Sequence, residues 1–154
     1  MQTTLVIFKP DCILRGLVGE ILARFEKRGL KIVGLKKMKL SNEILEEHYA
    51  HLKDKPFFPG IVKAMQRTPV IVLALQGVDA AEVARKMAGA TNARAAEVGT
   101  IRGDLAVSIQ NNLVHISDSP ESAEVEVKRF FKKEELIDPT EEELSVIYSP
   151  DERG

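Results

Sequence analysis

Val70-Ile71-Val72-Leu73-Ala74-Leu75 is an unbroken apolar run, and its reading decides the fold. It is far shorter than the roughly 18–20 residues of a membrane span, so it reads as a buried strand. Outward from it, elements alternate on both sides. Toward the N-terminus, Asn42–Leu52 and Pro59–Gln66 read as two shorter helices, the first with Ser41 as cap. Leu30–Met38 is a strand with partial alternation. Leu17, Ile21 and Phe25 recur every four residues beside Val18 and Leu22, which is one apolar helix face, and Gly29 stops it. Thr3–Phe8 is β-branched and apolar, another buried strand.

Toward the C-terminus, Ala80–Met87 reads as a helix closed by Gly89. Ala90 to Gly99 has no periodicity and reads as a loop of the length that often serves function or subunit contacts. Leu113–Ile116 is a last short strand. Ser119–Phe131 is a last long helix, with a hydroxyl cap, Pro at its first position and early acidic residues. This order is a βαββαβ core. It predicts an α+β sandwich of ferredoxin type, a four-stranded antiparallel sheet with helices packed on one face. The chain has no internal repeat.

A chain of 154 residues is one domain by the usual prior, and 44% hydrophobic with 29% charged content is ordinary for a soluble globular protein. The start, Met1 to Pro10, lacks a basic region followed by an apolar stretch and reads as a strand, not a signal peptide. The single Cys12 excludes an internal disulfide and predicts a reducing, cytoplasmic setting. Residues 133–154 hold eight acids and two bases, a net of −6, which leaves +5 on residues 1–132. A mildly basic body suits a polyanionic small molecule and is too mild for a dedicated nucleic-acid binder. We therefore divide the chain into a domain over 1–135 and an acidic tail over 136–154. Thr140 with Glu143 forms a capping-box pattern there. Leu144, Val146, Ile147 and Tyr148 supply apolar surface, so the tail is expected to pack on its own or a neighbouring subunit.

The residues with chemical potential are spread along the chain. His115 stands in N-N-L-V-H-I-S-D-S, between a strand and a helix start, where an imidazole is held rigidly and still faces a cleft. Neutral imidazole is nucleophilic, with a pKa near physiological pH. Lys9 in K-P-D supplies a point charge to a terminal phosphate; Arg85 and Arg102 supply planar forks; Thr91 supplies a hydroxyl. No G-x-x-x-x-G-K-[ST] and no H-R-D or D-F-G occurs, so neither P-loop nor protein-kinase machinery is present. A histidine that itself takes the phosphoryl group is another device for the same task.

Lys9-Pro10-Asp11, His48-Tyr49, Pro56-Phe57-Phe58, Arg85, Thr91-Asn92, G-T-I-R-G-D at 99–104, Asn112, His115 and Ser117-Asp118-Ser119 occur in one order. In that order, from about residue 3 to about residue 135, the chain resembles the nucleoside diphosphate kinase family. The resemblance implies the same sandwich fold and ping-pong transfer of a terminal phosphoryl group between nucleotides. It implies His115 as the phosphohistidine and Glu126 as the acid on its other ring nitrogen. Tyr49 and Ser117 match hydroxyls near the histidine and Lys9, and Asn112 matches a ribose contact. Phe57 matches the aromatic that stacks on the base, with Ile109 on the other side. Such a platform discriminates weakly among bases. Mg²⁺ is expected to arrive mainly through the nucleotide phosphates and water, with Asp118 the family position nearest in kind to a metal-assisting carboxylate. The resemblance also implies a homo-oligomer, a hexamer more than a tetramer. His48 and His51, on a helix without metal-ligand spacing, read as structural or exposed.

Four positions depart from the family pattern. Ile116 stands where Gly is usual, and a β-branched residue objects wherever the backbone needs positive φ. Asn111 stands for an Arg, and Ala93 and Val98 for loop prolines. Two further readings remain: a nucleotide-binding regulator that turns over poorly because Ile116 distorts the turn, and a basic nucleic-acid-binding sandwich. The second wants aromatics among basic surface residues, and the eight aromatics sit mostly at core-like positions.

Overall fold

The computed structural model describes residues 1–153. Four strands, β1 (Gln2–Phe8), β2 (Lys31–Met38), β3 (Val70–Gly77) and β4 (Val114–Ile116), form one antiparallel sheet in the order β2-β3-β1-β4. The helices are α1 (Pro10–Leu14), α2 (Val18–Arg28), α3 (Asn42–His48), α4 (Phe58–Met65), α5 (Ala80–Ala88), α6 (Ile101–Leu105), α7 (Pro120–Phe130) and α8 (Glu141–Ser145). Their ends follow local chemistry. Ser41 and Ser119 accept from Ile44 N–H and Ser122 N–H as N-caps of α3 and α7. Gly29 ends α2 at φ 94°, a left-handed turn that glycine takes without cost.

The helices cover both faces of the sheet rather than one. Val6, Phe8, Leu73 and Leu75 pack with residues of α1, α2, α5 and α6. Leu5, Ile7, Val72 and Ala74 pack with residues of α3, α4 and α7. That is why Val70–Leu75 is unbroken: a strand covered on both sides has no polar face to alternate with. The same two-sidedness sets the direction of His115. In β4, Val114 and Ile116 enter the first core, so by the period of two His115 projects toward α3 and α7. Its register partner is Ile7 of the central strand β1, which fixes its height on the sheet.

Ile116 does not strain this arrangement. Its φ is not positive; it pairs with Val6 and is buried at 4% exposure. The backbone therefore has no need of glycine here, and the β-branched side chain fills core volume. The positive φ in this segment belongs to Leu113, at 76° just before β4. It is pinned from both sides: its N–H donates to the buried Asp11 carboxylate at 2.9 Å, and its C=O accepts from Lys9 N–H at 2.9 Å. A left-handed non-glycine persists where its surroundings over-determine it.

The last segment lies along β2 and the end of α2. Ile137 N–H donates to Val33 C=O at 2.8 Å, and Thr140 with Glu143 completes a capping box on α8. The Tyr148 hydroxyl accepts from Val78 N–H at 3.1 Å, over Gly77, where a Cβ would stand 2.8 Å from that oxygen. Tyr148→Phe is expected to cost about 1 kcal/mol in urea unfolding, because a part-buried N–H loses its acceptor. No described helix is long and apolar enough to cross a membrane.

Candidate active site

His115 stands 20% exposed in its side chain, with Nε2 3.0 Å from Glu126 Oε2 on α7. The same carboxylate oxygen accepts from Ser117 Oγ at 2.5 Å. Ser117 is fully buried, and its oxygen in turn accepts from Leu5 N–H at 3.3 Å. Burial alone would raise the Glu126 carboxyl, but the hydrogen bond and charge of His115, then the Ser117 bond, hold it below the usual range. An ionised carboxylate only accepts, so Nε2 of His115 carries hydrogen and, in the neutral ring, Nδ1 keeps a free lone pair.

Among the remaining matched residues, Lys9, Asn112 and Arg102 are joined by hydrogen bonds that also take in the backbones of Thr91 and Ile109. Lys9, at the end of β1, donates to Gln110 C=O at 2.5 Å and to Asn112 Oδ1 at 2.9 Å. Burial pulls its ammonium below the ordinary value, opposed by the Asp11 charge and aided by Arg102. The Asn112 amide donates to the carbonyls of Thr91 and Ile109. Arg102 is 8% exposed and donates to the carbonyls of Asn112, Gly89 and Val114. Burial, then the Arg85 charge, brings it down to about 10, so it stays cationic at neutral pH. Three of its five N–H groups are thus occupied by backbone. Arg85 donates to Asp118 at 2.7 Å, beside a cleft of about 550 Å³ whose lining includes Lys86 and Pro120 but not His115. Phe57 and Ile109 are exposed at 56% and 53%, unlike the core aromatics. The Tyr49 phenol is pushed up to about 12 by burial, then by the Glu126 charge, and so remains a proton donor.

One side chain read only as structural or exposed belongs to this site. His48, at the end of α3, is 8% exposed, and its ring lies edge-on to His115 with centroids 4.6 Å apart. The Arg129 guanidinium on α7 lies 3.0 Å from its Nδ1. Burial first, then the neighbouring His115, brings His48 down to about 3, from the ordinary 6.5. Between those values the unfolded chain protonates this imidazole and the folded chain does not. Stability is therefore full above about pH 6.5 and falls as the pH drops through that window. His48→Gln should remove about 1.4 kcal/mol per pH unit of that slope, read by urea unfolding at about pH 6.5 and about pH 4.5.

Among the described residues, His48, His115 and Glu126 are the one group of three His, Cys, Asp or Glu whose ligand atoms lie within 4.8 Å of one another. Two imidazoles and a carboxylate already engaged with His115 and Ser117 do not suit a hard cation, which prefers oxygen donors. Asp118, with an 81% exposed side chain, is the accessible carboxylate beside Arg85.

The nucleoside diphosphate kinase family model matches residues 2–136. A nucleoside diphosphate kinase of Parabacteroides distasonis is 56% identical over 152 residues, 99% of each chain. One of Pyrococcus abyssi is 54% identical over 140 residues, 89% of this chain and 88% of that one. Among solved structures, a halophilic nucleoside diphosphate kinase from Halobacterium salinarum in complex with CDP superposes with a TM-score of 0.92 at 41% identity, covering 96% of this chain and 99% of that chain.

Proposed function

The chain belongs to the nucleoside diphosphate kinase family, and from that premise we propose that its phosphoryl transfer runs through Nδ1 of His115. The overall reaction is transfer of the terminal phosphoryl group of a nucleoside triphosphate to a nucleoside diphosphate. The observation that carries the residue-level reading is the Ser117–Glu126–His115 chain, which leaves one nitrogen of the ring free to attack. In the first half-reaction the Nδ1–P bond forms and the bond from that phosphorus to the bridging oxygen breaks. The electron pair stays on the departing diphosphate. In the second half-reaction a terminal oxygen of another diphosphate attacks the same phosphorus, and the imidazole leaves.

The other side chains divide the work of binding. Lys9, Arg85, Arg102 and Thr91 neutralise and orient phosphate oxygens. Tyr49, a phenol that stays protonated, donates toward the transferred group. Asn112 meets the ribose, and exposed Phe57 and Ile109 sandwich the base. Asp118 would help hold a Mg²⁺ ion brought by the nucleotide phosphates, and the ion would supply charge neutralisation. The single buried thiol, Cys12, is pushed up to about 12 by burial, then by the Asp11 charge, and so is inert. It supports a cytoplasmic setting, and family analogy supports a homo-oligomer, a hexamer before a tetramer. Initial rates with ATP and a second diphosphate varied together test the mechanism: parallel double-reciprocal lines are expected, and intersecting lines would exclude a covalent intermediate.

A further inference from the structure

His48 has two ring nitrogens and very different surroundings for each. Guanidinium groups only donate, so Nδ1, 3.0 Å from Arg129 Nη1, is an acceptor and carries no hydrogen. The hydrogen of the neutral ring is therefore on Nε2, which is buried and without a hydrogen-bond partner. Arg129 is itself held: its side chain is 12% exposed, and its Nε lies 3.1 Å from the Glu47 carboxylate. The His48 ring is walled by Tyr49, Phe130 and His115, all edge-on, at centroid distances of 4.8, 5.3 and 4.6 Å. The charged and titratable groups acting on it are His115 on β4, Glu126 and Arg129 on α7, and His51 beyond α3.

Glu126 thus has two imidazoles within reach, and only one is the reacting ring. A cationic His48 would draw the carboxylate from His115 and place a second positive charge against it. We propose that His48, held as the uncharged Nε2–H imidazole by Arg129, is a positioning residue that reserves Glu126 for His115 and fixes the plane of the His115 ring. This rests on the phosphohistidine reading above. It assigns to Arg129, which meets His48 at Nδ1, an effect on phosphoryl transfer that passes through His48.

The test uses the full chain, labelled with ¹⁵N at histidine, and the variants Arg129→Met and Arg129→Lys. In the unaltered protein, His48 should show a bare Nδ1 and a protonated Nε2 unchanged from about pH 8 to about pH 5. In Arg129→Met the single tautomer should be lost. Phosphorylation by Mg²⁺-ATP should slow by about tenfold at neutral pH, since a misplaced ring costs of that order. The loss should deepen as the pH falls, because removing a neighbouring cation eases protonation of His48. ATP affinity should change by less than about twofold, since Arg129 is engaged with His48 and Glu47 and is not among the groups assigned to the nucleotide, and Arg129→Lys, which keeps a donor and a charge, should recover part of the rate. A protonated or Nδ1–H His48 in the unaltered protein would overturn the proposal. So would an Arg129→Met protein with unaltered rate and pH profile, or one whose rate loss is matched by lost ATP affinity. Unaltered protein that takes no phosphoryl group overturns the phosphohistidine reading and this one with it, whereas a labelled protein indifferent to Arg129 overturns this one alone.

Discussion

His115→Ala is expected to lose phosphoryl transfer between ATP and GDP by at least about 10⁴-fold, as removal of a covalent nucleophile does elsewhere. No other described side chain offers a free nitrogen lone pair at this place. His48 Nδ1 is taken by Arg129, and its Nε2 carries the hydrogen. Lys9 is engaged with Gln110 and Asn112. The fold should survive, because His115 lies on a short strand whose neighbours Val114 and Ile116 supply the core contacts. ATP affinity should survive too, since the phosphate and base groups lie on other elements. Steady-state rates beside calorimetric binding separate these effects: lost turnover with retained binding is the expected pattern. Retained turnover would mean that the phosphoryl group passes directly between nucleotides.

Arg102→Met is expected to cost about 3 kcal/mol or more, and about 10 °C in the unfolding midpoint. One guanidinium binds the carbonyls of Asn112 and Val114, on either side of Leu113, and of Gly89 at the end of α5, and so ties two separate pieces of chain together. Methionine fills similar volume but leaves the Gly89 and Val114 carbonyls without a donor and removes one of two from Asn112, whose carbonyl also accepts from Val114 N–H at 2.9 Å. The Asn112 and Val114 bonds also brace the turn of positive φ at Leu113, so ATP affinity should weaken along with stability. Arg102→Lys should recover little, because one ammonium cannot span three carbonyls. Differential scanning calorimetry reads the first effect and calorimetric titration the second. A stable variant with weakened binding would mean that Arg102 serves phosphate alone.

The sheet was legible because its strands are apolar runs bounded by glycine, proline or charge. The second helical layer was legible in principle from the unbroken Val70–Leu75 run, which only a two-sided core explains. The helices α1 and α6 leave no signal of this kind, since five residues carry no period. The cap of α6 stood in plain view: Thr100 accepts from Gly103 N–H within G-T-I-R-G-D. The helix read over Asn42–Leu52 ends at His48, after which Tyr49 leaves helical geometry and a single 3₁₀ turn follows. Ile116 needs no positive φ; that conformation falls three residues earlier, at Leu113.

The site was legible where its motifs are contiguous. Lys9, Asn112 and Arg102 do converge through hydrogen bonds. The pair His48 and Arg129 was not legible, because 81 positions separate them and only the packing of α3 and α7 against one sheet face brings them together. Nothing in the local sequence of either residue signals the other.

The most direct test is to expose the protein to γ-labelled ATP and Mg²⁺ without acceptor, isolate it, and then add unlabelled GDP. The mechanism requires label on His115 that is acid-labile, alkali-stable and discharged to GTP within a turnover. Full catalytic activity with no label on the isolated protein would contradict it.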